Sequence, residues 1–371
     1  MAKKICIVTS GRSDYGHWLP VIKELSKNEN FWLTVLAPSN HPCRDELEQY
    51  DLDRLANVKY THGINGVEEL GVFFDDCLAR FLQSGYDAVG LLGDRMEITL
   101  AAVAATVSNT KIFHIHGGEV TLGAFDNQFR NAITMMSTWH FASTDEYAKN
   151  IVNMTMYNWR SGQRITSCDV FVTGAPGLEG IKKMELKSLQ ELQRDFFIDL
   201  EKPFILCCFN SVTKELMQTR YQINNLLQAL YDWGENVIMV MPNIDPGDDI
   251  IREQIYKMAA VAINKWQICE CIPRDIFLSL MKYAHMMIGN SSSGIIEASY
   301  FKLPVLNIGS RQEGRIKPKN VLDCGYSEED IFRGIRSLAK FKDEIRKMYI
   351  ENPYEGKSAV NDIVRILTEV L

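Results

Sequence analysis

The sequence contains no apolar run that is long enough to cross a membrane. A transmembrane helix needs about 20 consecutive apolar residues. The longest comparable run, residues 98–107, is half that length and is flanked by Glu97 and Ser108. The apolar stretch near the amino terminus is too short for a secretion signal and is typical of a first β-strand. From these absences we expect no membrane association and a cytoplasmic protein.

Cysteine pairs at disulfide or metal-binding spacing are also missing. The nine cysteines are an odd number and are scattered without a regular framework. Cys269 and Cys271 form C-x-C rather than C-x-x-C, and no second pair lies at zinc-finger spacing. The sequence therefore predicts reduced thiols and no metal site built from cysteines.

An excess of basic residues is absent as well. Lys and Arg number 40 against 47 Asp and Glu, which gives a net charge of -7 and an isoelectric point of about 5.6. A dedicated nucleic-acid-binding protein normally carries a basic excess, so we expect no nucleic-acid partner. A mildly acidic chain can still contain a local basic pocket for a small anion.

The usual motifs for nucleotide cofactors and serine nucleophiles are not found. The glycines at 174, 177 and 180 have the wrong spacing for a dinucleotide fingerprint, and Pro176 interrupts them. The serine-rich turn at 290–294 is not followed by the Gly-Lys-Ser/Thr of a Walker loop. No Ser-His-Asp elbow is present. We therefore expect no NAD and no other cofactor.

Short apolar runs alternate with helical patterns along most of the chain. Most runs are continuously apolar, which is typical of parallel strands covered on both faces. The predicted strands are residues 5–9, 32–37, 88–92, 111–115, 139–142, 170–173, 204–209, 237–241, 266–270, 286–289 and 304–308. Strands that alternate with helices predict a doubly wound α/β fold.

The strands form two series, which predicts two α/β domains, as expected for 371 residues. A Gly-Ala-Pro-Gly turn and a charged helical stretch separate the two series. We therefore expect an N-terminal domain at 1–173, a C-terminal domain at 174–352 and a C-terminal helix at 353–371. That last helix is amphipathic, so it is expected to dock on either domain.

Three acidic residues follow predicted strands of the first domain, where parallel sheets bind their ligands. Asp94 and Glu119 come shortly after two of these strands, and Asp126 begins a predicted helix. Asp94 and Asp126 are each also explained as helix caps. Together the three carboxylates predict a site for proton transfer, because crowded like charges shift one another's pKa.

Basic residues accompany these acids. Arg12 follows the first strand in a turn whose geometry needs no guanidinium, so it is a candidate ligand for phosphate or carboxylate. Arg95 is the charge partner beside Asp94 and a candidate for substrate binding. His114 and His116 would lie on one face of a strand. A metal-binding pair is an alternative there, although no third ligand follows at an obvious spacing.

The second domain offers a candidate phosphate cradle. Ser291 and Ser292 lie in a glycine-bounded turn that opens a helix, where N–H groups and hydroxyls can bind an anion. Glu297, further along that helix, is a candidate for ribose hydroxyls, and Arg311 is a candidate phosphate ligand. A plain helix cap and a solvated basic loop are the alternatives. Asn243 follows another strand in a turn that Pro and Gly alone would explain.

Five motifs resemble, in order and over nearly the whole chain, the hydrolysing UDP-N-acetylglucosamine 2-epimerases. They are RSDY at 12–15, GDR at 93–95, HIHGGE at 114–119, GNSSSG at 289–294 and GSRQEGR at 309–315. The resemblance implies a GT-B fold, in which two Rossmann-like domains face each other across a cleft and a C-terminal helix returns to the N-domain. It also implies a metal-independent conversion of UDP-GlcNAc and water to ManNAc and UDP, for the synthesis of sialic-type acids. A homodimer or homotetramer is expected by the same resemblance.

The resemblance also assigns roles by position. Asp94, Glu119 and Asp126 would be acid/base residues and His41 would line the sugar side. Arg12 would face the diphosphate, while Ser291, Ser292 and Arg311 would bind phosphates. Glu297 would bind the ribose, Asn243 would lie near the nucleotide, and residues 271–275 would lie near the uracil.

Four departures from the family pattern keep other functions open. Asn127, Asn131, Met135 and Asn210 stand where the family usually has an acid, a His, a Lys and a His of a His-Pro turn, respectively. One alternative is the same chemistry on a modified sugar such as UDP-2,4-diacetamido-2,4,6-trideoxyglucose. A GT-B glycosyltransferase and a non-catalytic nucleotide-sugar-binding protein are the others.

Overall fold

A computed structural model describes residues 2–53, 56–155 and 169–371. The chain divides into two compact units. Unit 1 takes in Met1–Glu119, Asp126–Lys183 and Tyr354–Leu371, and unit 2 takes in Val120–Phe125 and Met184–Pro353. Each unit therefore contains more than one segment of the chain.

Each unit contains an all-parallel sheet. Within the described ranges the strands are β1 (Lys3–Val8), β2 (Phe31–Pro38), β3 (Asn57–Thr61), β4 (Ala88–Leu92), β5 (Lys111–Ile115), β6 (Trp139–Ala142), β7 (Asp169–Val172), β8 (Phe204–Cys208), β9 (Asn236–Val240), β10 (Trp266–Cys269), β11 (Met286–Gly289), β12 (Val305–Ile308) and β13 (Val321–Cys324). The sheet of unit 1 has the order β3-β2-β1-β4-β5-β6-β7, and that of unit 2 has the order β10-β9-β8-β11-β12-β13.

Helices connect the strands, as parallel neighbours require. In the same described ranges they are α1 (Arg12–Leu25), α2 (Arg44–Leu52), α3 (Leu70–Ser84), α4 (Met96–Val107), α5 (Asp126–Met136), α6 (Asp145–Thr155), α7 (Pro176–Lys182), α8 (Leu189–Gln193), α9 (Thr219–Trp233), α10 (Asp248–Ala259), α11 (Arg274–Tyr283), α12 (Ser293–Ile296), α13 (Glu328–Lys347) and α14 (Ala359–Val370). Short 3-10 turns cover Val67–Glu69, Leu216–Gln218 and Ala298–Phe301.

The sheet of unit 1 is covered on both faces. Along β1, Ile5 and Ile7 belong to one buried cluster, whereas Cys6 and Val8 belong to another. Alternate residues of a strand point to opposite faces, so both faces of β1 are buried. This double burial explains why the strand reads as a continuous apolar run.

The C-terminal helix α14 packs in unit 1, against α1. Val360, Ile363 and Leu367 are buried in the same cluster as the α1 residues Trp18 and Val21. Each such aliphatic side chain contributes about 1.5–3 kcal/mol when it is fully removed from water. The last segment of the chain is therefore an integral part of the core of unit 1.

Unit 2 has a comparable core. Ile205 and Cys207 of β8 pack against Ile223, Leu226 and Leu230 of α9, which are spaced three and four residues apart on one helix face. This packing holds the carboxyl ends of β8, β9 and β11 in place, and the polar loops of unit 2 begin there.

The expected strands and domain limits differ from the structure at particular places. Strands β3 and β13 are not among the predicted runs. The sequence places the first domain boundary between residues 173 and 174, whereas α7 packs against α1 in unit 1 and the unit changes after Lys183. The segment Val120–Phe125 of unit 2 was likewise not anticipated.

Two sequence expectations concern the whole chain. In residues 2–53, 56–155 and 169–371, no helix combines the length and apolarity needed to span a bilayer. The eight cysteines in those residues are free thiols. Cys168, the ninth, lies outside the described residues.

Candidate active site

Arg130 of α5 holds two of the predicted acids of unit 1 in place. Asp94 follows β4 and Glu119 follows β5. The Arg130 side chain is 1% exposed; its Nη2 pairs with Asp94 Oδ2, and its Nη1 donates to the main-chain oxygen of Glu119 at 2.9 Å. A planar guanidinium suits this double contact because its donors form a rigid fork. Arg130 is not among the predicted site residues, although its position one helical turn after Asp126 is a signal for it.

The Glu119 carboxylate is buried and hydrogen-bonded. It is 3% exposed. Its Oε1 lies 2.6 Å from His116 Nδ1 and accepts a hydrogen bond of 2.7 Å from Ser143 Oγ, at the end of β6. These bonds replace the water that burial removes from the carboxylate. Neither His116 nor Ser143 was predicted as a partner of Glu119.

The two histidines of the HIHGGE motif have different partners. His114 Nε2 lies 2.9 Å from the main-chain oxygen of Gly93, and its Nδ1 lies 3.3 Å from Thr134 Oγ1. Burial lowers the pKa of His114 to about 4, so the ring is neutral at physiological pH. No group of three His, Cys, Asp or Glu side chains in the described part of the chain is arranged to hold a metal ion.

The two glycines of that motif are enclosed by protein atoms. A Cβ on Gly117 would lie 2.9 Å from His114 Nδ1. A Cβ on Gly118, which has φ +75°, would lie 2.3 Å from the main-chain oxygen of Tyr147. The packing of the loop that carries Glu119 therefore requires both glycines.

Arg12 and Arg95 lie at the ends of β1 and β4. Arg12 is half-buried at the first position of α1. The carboxylate of Asp14 caps this helix by accepting from the Ser10 and Gly11 amides at 2.8 Å each. Burial raises the pKa of Asp14 to about 6, although these bonds and the charge of Arg95 oppose the rise.

Arg95 pairs with Glu97 at the start of α4. Burial raises the pKa of the Glu97 carboxyl, but the adjacent Arg95 charge and hydrogen bond outweigh burial, so the pKa lies below its usual value. Arg95 therefore forms an ion pair with Glu97 within unit 1, in addition to any contact with a ligand.

His41 is buried with both ring nitrogens hydrogen-bonded. Its Nδ1 accepts from the Cys43 amide at 3.1 Å, so the neutral ring carries its proton on Nε2, which lies 3.2 Å from Thr9 Oγ1. Burial lowers the pKa of His41 to about 4. The ring is therefore held neutral in a fixed orientation.

Glu119 and Asp126 flank the segment Val120–Phe125, which belongs to unit 2. Within unit 2 the Leu122 amide donates to the Glu313 oxygen at 2.9 Å and the Phe125 amide donates to Thr213 Oγ1 at 3.0 Å. Lys214 Nζ also donates to the Leu122 oxygen. The segment between the two acids is thus hydrogen-bonded within unit 2.

In unit 2, Asn290 connects the ends of several strands. Its Nδ2 donates to the Asn210 oxygen at 2.8 Å, and its Oδ1 accepts from the Asn210 amide at 2.7 Å. Arg311 Nη1 and Gln312 Nε2 both donate to the Asn290 oxygen, at 3.2 and 2.9 Å. Asn210 Oδ1 in turn accepts from the Asn243 amide at 3.0 Å. These bonds tie the loops after β8, β9, β11 and β12 together.

The serine turn after β11 opens a short helix. Ser291 and Ser292 are half-buried and precede α12, which has four residues. Such a helix provides little macrodipole, so anion binding there would depend on individual N–H and hydroxyl donors. Gly289 has φ +140°, and a Cβ on it would lie 1.9 Å from the Cys208 oxygen, which explains the glycine before the turn.

Glu297, the candidate ribose ligand, is ion-paired. Its carboxylate is 3% exposed and lies 2.6 Å from Arg274 Nη2, at the start of α11. Arg274 belongs to the segment 271–275 that the resemblance places near the base. Two candidate nucleotide contacts are therefore joined to each other, which the sequence did not indicate.

The predicted site residues fall into two groups. Unit 1 contains Arg12, His41, Asp94, Arg95, Glu119 and Asp126. Unit 2 contains Asn243, Ser291, Ser292, Glu297 and Arg311. The structure brings Asp94 and Glu119 together through Arg130. It joins Asn243 to Asn290 through Asn210, and Arg311 bonds to Asn290 directly.

Comparisons with known proteins agree with this architecture. The profile of one family, described as UDP-N-acetylglucosamine 2-epimerase, matches residues 23–368. The chain is 30% identical over 382 residues to the polysialic acid biosynthesis protein P7 of Escherichia coli, covering 100% of this chain and 94% of that protein. It is 30% identical over 349 residues to a hydrolysing UDP-N,N'-diacetylbacillosamine 2-epimerase of Legionella pneumophila, covering 91% and 89%.

A solved structure extends the likeness to three dimensions. The UDP-GlcNAc 2-epimerase from Neisseria meningitidis bound to UDP-GlcNAc superposes with a TM-score of 0.79 at 20% identity, covering 99% of this chain and 100% of that chain. The predicted fold class, two Rossmann-like domains of the GT-B type, is thereby confirmed.

Proposed function

Because the chain belongs to the UDP-N-acetylglucosamine 2-epimerase family, we propose that it is a hydrolysing 2-epimerase. The proposed reaction converts UDP-GlcNAc and water to ManNAc and UDP. The observation that carries the proposal is a pair of fixed acids: buried Arg130 pairs with the Asp94 carboxylate and binds the main-chain oxygen of Glu119, whose carboxylate is bonded to His116 and Ser143. Two positioned carboxyl groups are what a reaction with one proton removal and one proton addition needs.

The proposed chemistry proceeds by elimination and hydration. A carboxylate takes the C2 proton, the C2–H electron pair becomes the C1–C2 double bond, and UDP leaves with the electrons of the C1–O bond. Water then adds to C1 of the 2-acetamidoglucal and gives up a proton to a carboxylate, while a carboxylic acid returns a proton to the opposite face of C2. Each step moves protons and one leaving group, so no cofactor or metal is required.

We assign the proton transfers to Asp94 and Glu119, with Asp126 assisting. Burial of Glu119 favours this role because a carboxylate with little hydration transfers protons more readily than a solvated one. His41 lines the sugar side as a neutral ring, since both of its nitrogens are already bonded. Arg12, after β1, and Arg95, after β4, provide positive charge at the carboxyl edge of the sheet of unit 1.

We assign nucleotide binding to the polar loops of unit 2. Ser291, Ser292 and Arg311 would bind the phosphates, and Glu297 would accept hydrogen bonds from the ribose. Support comes from the network around Asn290, which fixes Arg311 and the serine turn at the ends of neighbouring strands. Asn243 joins this network through its amide and would lie near the nucleotide.

The proposal is tested by incubating the protein with UDP-GlcNAc in D2O without an acceptor and recording proton NMR spectra. We expect free UDP and ManNAc that carries deuterium at C2. UDP-N,N'-diacetylbacillosamine is tested in parallel because it is the sugar nucleotide named for the Legionella relative. A donor that stays intact until an acceptor is added would instead identify a glycosyltransferase, and UDP-ManNAc as product would contradict hydrolysis.

A further inference from the structure

His116 has an unusual backbone conformation next to the proposed acid/base residue. It follows the last residue of β5, and its φ of +64° lies in the left-handed region, which few residues other than glycine adopt. The side chain is 5% exposed. A buried residue keeps such a conformation only where its surroundings fix it, and such residues are frequent at functional sites.

The contacts of the ring show what this conformation achieves. It places Nδ1 2.6 Å from Glu119 Oε1, three residues further on. One edge of the ring packs against His17 of α1, with ring centroids 5.0 Å apart. Nε2 is buried and makes no hydrogen bond within the described part of the protein. The hydrogen bond to Glu119 is thus the polar contact that the ring makes there.

These observations lead to a role for the ring, which rests on the proposed function. We infer that His116 is a positioning residue, whose Nδ1–H donates to Glu119 Oε1 and holds that carboxylate, together with Ser143, in the ionised form and orientation needed for proton transfer. A charge-assisted bond of this kind stabilises the carboxylate more than a neutral one does. His116 itself takes no proton from the substrate.

Other ionisable groups surround the pair. His114 lies close enough to His116 and Glu119 to interact with them electrostatically. The ring of His17 packs against the ring of His116. Arg130 bonds to the main chain of Glu119 and pairs with Asp94. A change at His116 alone is therefore needed to isolate its contribution.

Two matched variants separate positioning from folding. His116→Asn and His116→Gly both remove the imidazole, and both residues accept a positive φ. Asn keeps an N–H donor near the place of Nδ1, whereas Gly keeps none. We expect His116→Gly to lower kcat about tenfold or more with little change in KM, because a hydrogen bond to a charged group is lost.

His116→Asn is expected to retain most of kcat, because its amide still offers an N–H donor to Glu119 Oε1. Equal losses of kcat in the two variants would mean a structural role for the ring and would overturn the inference. Full activity in His116→Gly would overturn it as well.

A second measurement does not depend on turnover. Nitrogen-15 NMR of the histidine rings at neutral pH, with His116 assigned from the His116→Asn variant, should show a protonated Nδ1 and an unprotonated Nε2. The opposite tautomer would contradict the donor role. A wild-type protein without epimerase activity would refute the proposed function, while this spectrum would still decide whether His116 donates to Glu119.

Discussion

Unit 1 and unit 2 have the same kind of sheet, yet the side chains that follow their strands differ. In unit 1 they are ionisable: Glu119 is buried beside His116, and half-buried Asp94 pairs with the buried Arg130 of α5. In unit 2 amides and hydroxyls predominate, and Asn290 is the centre of the network. Proton transfer needs groups whose charge changes, whereas anion binding is served by neutral donors that cost less to bury.

Unit 2 also contains a buried carboxylate, but its partner differs from that of Glu119 in unit 1. Glu297, a buried carboxylate of unit 2, is ion-paired with Arg274 Nη2 at 2.6 Å. A buried carboxylate needs such a partner, and here the partner is a permanent cation rather than a titrating ring. The buried carboxylate Glu297 of unit 2 thus pairs with a permanent cation, whereas Glu119 of unit 1 bonds to an imidazole.

The largest effect is expected on kcat when the carboxylate of Glu119 in unit 1 is replaced by a neutral amide. Glu119→Gln keeps the size of the side chain but removes its proton affinity, so we expect kcat to fall about a thousandfold. UDP affinity, measured by calorimetry, should remain nearly unchanged because unit 2 is intact. Glu146→Gln, at an exposed position of α6, is the matched control. Full turnover in Glu119→Gln would remove Glu119 from the proposed mechanism.

Removing the cation that joins the acids should affect stability as well as activity. Arg130→Met leaves the Glu119 oxygen and Asp94 without their donor, and we expect the free energy of unfolding to fall by about 3 kcal/mol. Arg130→Lys, which keeps the charge but loses the fork, should lie between this variant and the wild type. Urea unfolding at pH 7 measures both, and an unchanged midpoint in Arg130→Met would contradict the prediction.

A change in unit 2 should weaken binding and spare the chemistry. Arg311→Ala removes a charged donor, so we expect the Kd for UDP to rise about thirtyfold, with kcat at saturating substrate little changed. Arg333→Ala, at an exposed position of α13, is the control. A loss confined to kcat would mean that Arg311 acts in the chemical step rather than in UDP binding, and it would contradict the prediction.

The last prediction concerns the dependence of stability on pH. Burial lowers the pKa of His140 to about 3 and those of His41 and His114 to about 4, all in unit 1. Below pH 6.5 the unfolded chain binds protons that the folded unit does not, so stability is full above that pH and is lost as the pH falls towards the folded values. Each ring should cost about 2 kcal/mol between pH 7 and pH 5.

The variant His140→Leu should remove its share of this loss. Hydrogen exchange followed by mass spectrometry at pH 7 and pH 5 measures the protection of peptides from unit 1 and unit 2 separately. We expect the protection of unit 1 to decrease more on acidification in the wild type than in His140→Leu. Identical decreases in the two proteins would contradict the burial argument.

The strands that the sequence did not predict are edge strands. The bounds of β4, β5, β6 and β11 agree with the predicted runs because every residue of these strands except Lys111 is buried. Strands β3 and β13 lie at sheet edges and carry exposed polar residues such as Lys59 and Asp323. An edge strand needs no continuous apolar run, so this pattern could not identify them.

The sequence was sufficient to predict which candidate site residues follow strands, but not which residues they would be hydrogen-bonded to. Asp94, Glu119, Ser291 and Ser292 follow directly from the rule that ligands bind beyond the carboxyl ends of parallel strands. The bonds of Asn210 to Asn290 join residues 80 positions apart, which no local pattern reveals. Asn210, a departure from the family pattern, therefore has a structural role: it joins the loops that carry Asn243 and Asn290.

The enclosed glycines beside Glu119 limit how this protein can be redesigned. Any side chain at Gly118 would meet the Tyr147 backbone, and one at Gly117 would meet the His114 ring. A randomised library that seeks new sugar preferences should therefore leave both codons untouched. Its useful diversity lies at positions whose side chains have space to vary, and a selection that enriched alanine at Gly118 would reveal a backbone more pliable than the packing implies.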